Sequence, residues 1–140
     1  MKQNIKFIYG KAGTGKTFYL CQQIIKIVSK NKTFIVCCPT HSAVKNIYRK
    51  CKEVYNSVSE KQFKTIHSYF KINYENDDVI GSNDFYDYII IDEVCLIKRE
   101  LFKKIIRTIP YKTKIILSGD VLQLSPIYLN DRGIPFKKLY

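Results

Sequence analysis

Not one aspartate or glutamate occurs in the first 52 residues of this chain, which hold 11 lysines and arginines. Lysines outnumber arginines 20 to 4, and the chain is rich in Ile, Asn, Tyr and Phe, a set that shares A/T-rich codons. Codon usage explains plentiful lysine but not an acid-free first third. Acids return in residues 53–93, with 9 against 3 bases, and residues 94–140 revert to 10 bases against 3 acids. A net charge of +12 distributed in this way favours a polyanionic partner such as nucleic acid. Other absences narrow the class further. No apolar run approaches membrane-spanning length, so a membrane partner is not expected. A signal peptide is not expected, because the first apolar run is short and leads straight into a Gly-rich loop. A soluble intracellular protein, cytoplasmic or nuclear, is expected. There is no C-x-x-C pair, and the count of five cysteines (Cys21, Cys37, Cys38, Cys51, Cys95) is odd. They read as reduced thiols, mostly buried, and zinc is not expected. No repeat, linker or low-complexity tract divides the 140 residues, which are enough for one domain with its own core.

What is present alternates strand and helix. Ile5–Tyr9 is a short β-like run, and Lys16–Ser29 has apolar residues near helical spacing. Thr33–Cys38 and Tyr88–Ile91 are continuous β-prone apolar runs, as in strands buried on both faces. The pattern predicts a helix over Ser42–Lys52, a short strand over Phe63–Ile66 and a turn or helical start over His67–Phe70. It also predicts a helix over Arg99–Ile109 and a strand over Thr113–Leu117. Lys71–Tyr86 is polar and acidic and reads as a surface excursion, and the tail from Val121 reads as mostly irregular. Strands alternating with helices predict an α/β fold with a parallel sheet flanked by helices.

Gly10-Lys11-Ala12-Gly13-Thr14-Gly15-Lys16-Thr17 matches G-x-x-x-x-G-K-[ST] between a strand and a helix. Glycines let the backbone wrap closely and aim its N–H groups inward, and the following helix presents its positive end to phosphates. Lys16 would reach the β- and γ-phosphates of a nucleoside triphosphate, and Thr17 would place its hydroxyl on Mg²⁺. Asp92-Glu93 ends an apolar strand; Asp92 can hold Mg²⁺ through water, and Glu93 can polarise a water for attack on the γ-phosphate. A glutamate there points to hydrolysis rather than transfer to an acceptor. After the strand Thr113–Leu117, Gln123 could sense the γ-phosphate or its water, and Asp120 could assist.

Five blocks in order resemble the superfamily 1 helicases, in the branch that includes the Pif-type and RecD-like enzymes. G-K-A-G-T-G-K-T (10–17) resembles motif I, C-P-T-H-S-A-V-K-N-I (38–47) motif Ia, and K-T-I-H-S-Y-F (64–70) motif Ib. I-I-D-E-V-C-L-I (90–97) resembles motif II, with Val94-Cys95 where the branch usually has Ala-Ser or Ile-Ser. L-S-G-D-V-L-Q-L-S-P-I (117–127) resembles motif III, with Ser125 where Pro is commoner. The resemblance implies a RecA-like P-loop NTPase domain, the first of two motor domains, that binds ATP and Mg²⁺ through Gly10, Ala12, Gly13, Thr14, Gly15, Lys16, Thr17, Asp92 and Gln123. Lys16, Glu93 and Gln123 would be catalytic. The motif III strand would lie between those of motifs I and II. Pro39, Thr40 and His41 of motif Ia, with Thr65 and His67 of motif Ib, would contact the backbone of single-stranded DNA (RNA is the other option). Thr40 also reads as a helix N-cap, His67 as a buried histidine, and Tyr69 and Phe70 as core.

Departures set further expectations. The family's adenine-contacting glutamine lies further upstream than the nine residues ahead of Gly10 allow, and Gln3 is too close to the loop. Motifs IV to VI, the second motor domain and its arginine finger have no counterpart in residues 1–140. Unwinding is therefore expected only when a longer chain or a partner completes the site. Two other readings compete: a degenerate module that binds nucleic acid or a partner without turnover, and a P-loop nucleotide or nucleoside kinase. The kinase reading lacks a lid with clustered arginines, since Arg49, Arg99, Arg107 and Arg132 are the only four.

Overall fold

The structure is a computed structural model and describes residues 4–10, 15–120 and 137–138. In chain order the elements are β1 (Ile5–Gly10), α1 (Lys16–Ser29), β2 (Phe34–Cys38), α2 (His41–Val54), a 3₁₀ turn (Glu60–Gln62) and β3 (Phe63–Thr65). There follow α3 (Ile66–Phe70), β4 (Tyr88–Ile91), a second 3₁₀ turn (Val94–Leu96), α4 (Arg99–Thr108), β5 (Lys114–Asp120) and the two-residue β6 (Lys137–Lys138). The strands form one sheet in the order β3-β2-β4-β5-β1-β6. Every pairing in it is parallel. This is the RecA-like α/β fold, with β5 between β1 and β4 as the resemblance implied. The tail departs from its irregular reading at Lys137–Lys138, which pair with Lys6 and Phe7 of β1.

Side chains alternate across a strand, so each apolar run feeds two cores at once. Ile8, Val36, Ile90 and Ile116 pack with Leu20, Cys21, Ile24 and Ile27 of α1 and with Ile47 and Cys51 of α2. Phe7, Ile35, Ile89, Ile91, Ile115 and Leu117 pack on the other face with α3 and with Leu101, Phe102 and Ile105 of α4. Tyr69 and Phe70 belong to this second core. A fully buried Ile or Leu contributes about 1.5–3 kcal/mol relative to exposure, which is why the strands carry so little else. The five cysteines are free thiols, and Cys21 and Cys51 touch across α1 and α2 with their sulfurs 2.7 Å apart.

The excursion after α3 is ordered by local bonds. Asn73 Oδ1 accepts from the Glu75 and Asn76 amides, and Ile72 bridges Val79 antiparallel. The Lys104 ammonium holds the turn to α4, 3.7 Å from the Asp78 carboxylate and donating to the Asp77 carbonyl at 3.4 Å. At the N-terminal ends of the strands, Asp87 Oδ2 accepts from the Thr33 amide at 2.8 Å and from its hydroxyl at 3.1 Å. The Asp87 amide donates back to Thr33 Oγ1 at 2.9 Å, locking the starts of β2 and β4 together. Among the described residues, no helix is long and apolar enough to cross a membrane.

Candidate functional site

Because the strands are parallel, all their C-terminal ends reach one rim. Thr65 of β3 stands in register with Cys38 of β2, and Gly10 of β1 with Asp120 of β5. The Asp92 amide, just past β4, donates to the Cys37 carbonyl at 2.9 Å. Across this rim the order is Thr65, Pro39, Asp92, Asp120, Gly10. Thr40, His41, His67 and Glu93 follow within three residues of the same strand ends, and Lys16 and Thr17 open α1, the next element after β1. Ala12, Gly13, Thr14 and Gln123 lie outside the described residues.

On the β1 side, Gly15 adopts the left-handed conformation (φ 83°) that glycine tolerates best, and the chain enters α1 at Lys16. Gly15 offers no side-chain cap, and the first turn of α1 holds no acid. The leading N–H groups of α1 and its positive end are thus left to an acceptor from outside the helix. Lys16 and Thr17 at this end are both half-buried. That donor set suits a phosphate with an oxygen-seeking divalent ion beside it.

Asp92 and Glu93 face the same space. Burial raises the Asp92 carboxyl above its ordinary range; the Ser118 hydroxyl, the Glu93 amide and the charges of Lys16 and Lys50 oppose that rise. Glu93 is also raised, first by burial and then by the charge of Asp92, against the pull of Lys16. The backbone sets Lys16 at the start of α1 and Asp92-Glu93 just past β4, on one rim, and the Lys16 charge works against both rises. Glu93 has φ 52° and ψ 40°, a left-handed backbone that costs a non-glycine residue energy and is held only where surroundings dictate it. It starts the 3₁₀ turn Val94–Leu96, which packs Cys95 against the tip of β5. Cys95 Sγ accepts from the Asp120 amide at 3.2 Å. A Cβ added at Gly119 would lie 2.5 Å from that sulfur, so only glycine fits the joint between the two strand ends.

On the β2–β3 side the hydroxyls of the candidate residues are already engaged. Thr40 Oγ1 caps α2 by accepting from the Ala43 amide at 3.2 Å, and Thr65 Oγ1 caps α3 by accepting from the Ser68 amide at 3.1 Å. Thr40 and His41 are exposed and Pro39 half-buried, while Thr65 is buried. The His67 ring is half-buried and stacks on the exposed Tyr74, ring centres 4.1 Å apart and 8° from parallel. Between α2 and Glu93 opens a cleft of about 420 Å³ lined by Ser42, Ala43, Lys45, Asn46, Arg49 and Glu93. The sequence reading passed over Ser42, Lys45, Asn46 and Arg49, yet their i, i+3, i+4, i+7 spacing marks one polar stripe of a helix. Ser118 was also missed, since a serine inside an apolar strand gives no sign of bonding a carboxylate two strands' worth of sequence away.

A G-x-x-x-x-G-K-[ST] sequence between β1 and α1, a carboxylate pair on the neighbouring-but-one strand and a third strand between them define the class of P-loop, RecA-like domains. A family model described as "AAA domain" matches residues 1–128, and the chain belongs to that family in the form carried by superfamily 1 helicases of the Pif/RecD-like branch. The chain is 36% identical over 129 residues to the ATP-dependent DNA helicase dda of Enterobacteria phage T4, covering 86% of this chain and 28% of that protein. It is 28% identical over 137 residues to the replicase polyprotein 1ab of Breda virus 1, covering 93% of this chain and 2% of that protein. It is 30% identical over 140 residues to the RecBCD enzyme subunit RecD of Buchnera aphidicola subsp. Schizaphis graminum, covering 89% of this chain and 23% of that protein. The chain thus spans well under a third of the length of these curated relatives.

Proposed function

We propose that residues 1–140 form the first, nucleotide-binding domain of a helicase-type motor, which binds ATP at the Lys16 end of the rim, hydrolyses it, and couples turnover to single-stranded DNA lying across the β2–β3 end. The observation that carries this reading is the shared C-terminal rim: Gly10 stands in register with Asp120, Asp92-Glu93 follows β4, and Lys16 opens the uncapped helix α1. Gly10, Ala12, Gly13, Thr14 and Gly15 wrap the phosphates with backbone N–H groups, and Lys16 neutralises charge that grows on the β- and γ-phosphate oxygens. Thr17 and Asp92 hold Mg²⁺, which when bound screens the phosphate oxygens from an incoming nucleophile. Glu93, raised by burial and by Asp92, is suited to take a proton from the attacking water, and Gln123 orients that water. The name of the phage T4 relative, an ATP-dependent DNA helicase, supports DNA as the partner. Thr40 and His41, with the polar stripe of α2, offer contacts to a phosphate backbone without reading bases, and Thr65 and His67 extend the track. Translocation and unwinding need a second motor domain, from a longer chain or a partner, to close over the rim and supply an arginine.

The test is ATP turnover with and without single-stranded DNA, and with RNA in its place, at two salt concentrations. Stimulation by DNA that fades with salt and disappears in Glu93→Gln supports the proposal. Binding of DNA with no turnover, indifferent to Glu93→Gln, would make the chain a binding module. Phosphate appearing on a nucleoside acceptor would make it a kinase.

A further inference from the structure

We infer that the opposite, N-terminal rim of the sheet carries a second nucleic-acid contact, a lysine-lined cleft that takes phosphates of a nucleic-acid backbone independently of the nucleotide site. The cleft holds about 80 Å³ and is lined by Asn4, Lys6, Gln23, Lys26, Lys30 and Lys114 over an apolar floor that includes Ile27 and Ile116. Its cations come from three separate elements. Gln23, Lys26 and Ile27 share one face of α1 and Lys30 is its C-cap residue, while Lys6 stands on β1 and Lys114 on β5. Lys114 is further held over the Tyr88 ring, its ammonium 5.6 Å from the ring centre. Lys137 of β6 stands in register with Lys6, next along the sheet.

Among the described residues, none of these lysines is ion-paired and no carboxylate lines the cleft. Among the described residues the ion pairs are Lys103 with Glu100 and Lys104 with Asp78, both elsewhere. Asp87, which precedes the lining residue Tyr88, directs its carboxylate to the amide and hydroxyl of Thr33. The C-terminal end of α1 accounts for Lys26 and Lys30, since cations suit a helix C-terminus. It does not account for Lys6 and Lys114, which are strand residues, nor for the lack of an acid in the lining. Four like charges around so small a space repel one another, and the arrangement is most stable when an anion sits among them. A chain of phosphates suits it better than an acidic peptide, because several ammonium groups can each meet a separate phosphate along one backbone. β1 spans the sheet between the two rims, about 17 Å at 3.3 Å per residue, so this contact lies beyond the reach of groups at the nucleotide site.

The experiment measures binding of a labelled oligonucleotide, single-stranded in one arm and duplex in the other, without nucleotide and over a salt series. Lys26→Gln/Lys30→Gln/Lys114→Gln is compared with Lys61→Gln/Lys103→Gln/Arg107→Gln, which removes equal charge elsewhere. The first triple should bind at least ~10-fold more weakly near 50 mM salt and lose about 2 from the slope of log K against log salt, while the control changes little. In the unaltered chain, the oligonucleotide should protect Lys6, Lys26, Lys30 and Lys114 from acetylation more than Lys103, a readout that needs no variant to fold. Equal losses in both triples, or no selective protection, would overturn the inference. So would protection by polyglutamate and not by oligonucleotide. Loss of ATP turnover or of its stimulation by DNA bears on the front-rim reading alone and leaves this readout untouched.

Discussion

The two rims of this sheet are built from the same strands and differ in almost every respect. At the C-terminal rim a helix N-terminus has no cap, two carboxyls sit near one lysine, and Glu93 is held in a left-handed backbone. At the N-terminal rim Thr33 and Asp87 satisfy each other's amides and carry no exposed strain. The direction of the chain sets the contrast. In a parallel sheet every helix that follows a strand begins at the C-terminal rim, so positive helix ends and unsatisfied N–H groups collect there, and ligands bind there. The other rim receives helix C-termini and strand starts, which is a place for fasteners and, in this chain, for unpaired lysines.

The comparison breaks most severely at Glu93. Glu93→Gln should cut turnover about 10²- to 10⁴-fold with nucleotide binding retained, whereas Lys16→Ala should lose binding as well. Steady-state hydrolysis alongside equilibrium nucleotide binding checks this, and normal turnover by Glu93→Gln would remove the glutamate from the chemistry. Gly119→Ala comes next. Its methyl group meets the Cys95 sulfur, and overpacking of this kind costs about 1–3 kcal/mol. Thermal melts should show the loss, and Cys95→Ala in the same chain should return part of it. The two capping threonines sharpen the contrast within the front rim. Removing either cap costs about 0.5–2 kcal/mol, and buried Thr65→Ala should lie nearer the upper end than exposed Thr40→Ala. Denaturant midpoints decide between them, and Thr65→Ser should restore the cap. The smallest effect belongs to the rear clasp. The Thr33 amide and hydroxyl hold Asp87 below its ordinary value of 3.8, so the ionised form is the one the fold favours. That contribution is fully present above the ordinary value and is lost as pH falls through the lower folded one. Asp87→Asn should therefore flatten the acid limb of the melting temperature against pH below about 4 and leave the neutral region less changed. An unchanged acid limb would mean that the clasp is not proton-linked.

Much of the architecture was written in runs such as Tyr88–Ile91 and Thr33–Cys38, where unbroken apolar residues demand cover on both faces. Helix ends were less legible. α2 begins at His41 rather than Ser42 because the Thr40 side chain caps it, and it runs to Val54 rather than Lys52. Lys16, Asp92 and Glu93 were legible as motifs, and so was the order of the strands that bring them to one rim. What holds them was not. Ser118 beneath Asp92 and Cys95 against Asp120 are contacts between distant segments, and no local pattern marks them. The Thr33–Asp87 clasp joins residues 54 apart for the same reason. The α2 stripe was visible in principle through its helical spacing. It went unread because charged and polar positions on a helix usually mean only a solvated face.

The placement of β5 in the middle of the sheet has a consequence for how the molecule comes into being. Ile5 pairs with Ile115, and the other neighbour of β1 begins at Lys137, so β1 finds no edge to bond until the chain has been made through β5, more than 100 residues later. Such distant pairing slows assembly and leaves Ile5–Gly10 awaiting company during synthesis. A nascent chain arrested ahead of Lys114 should hold β2, β3 and β4 as an unfinished sheet with its phosphate-loop strand still adrift.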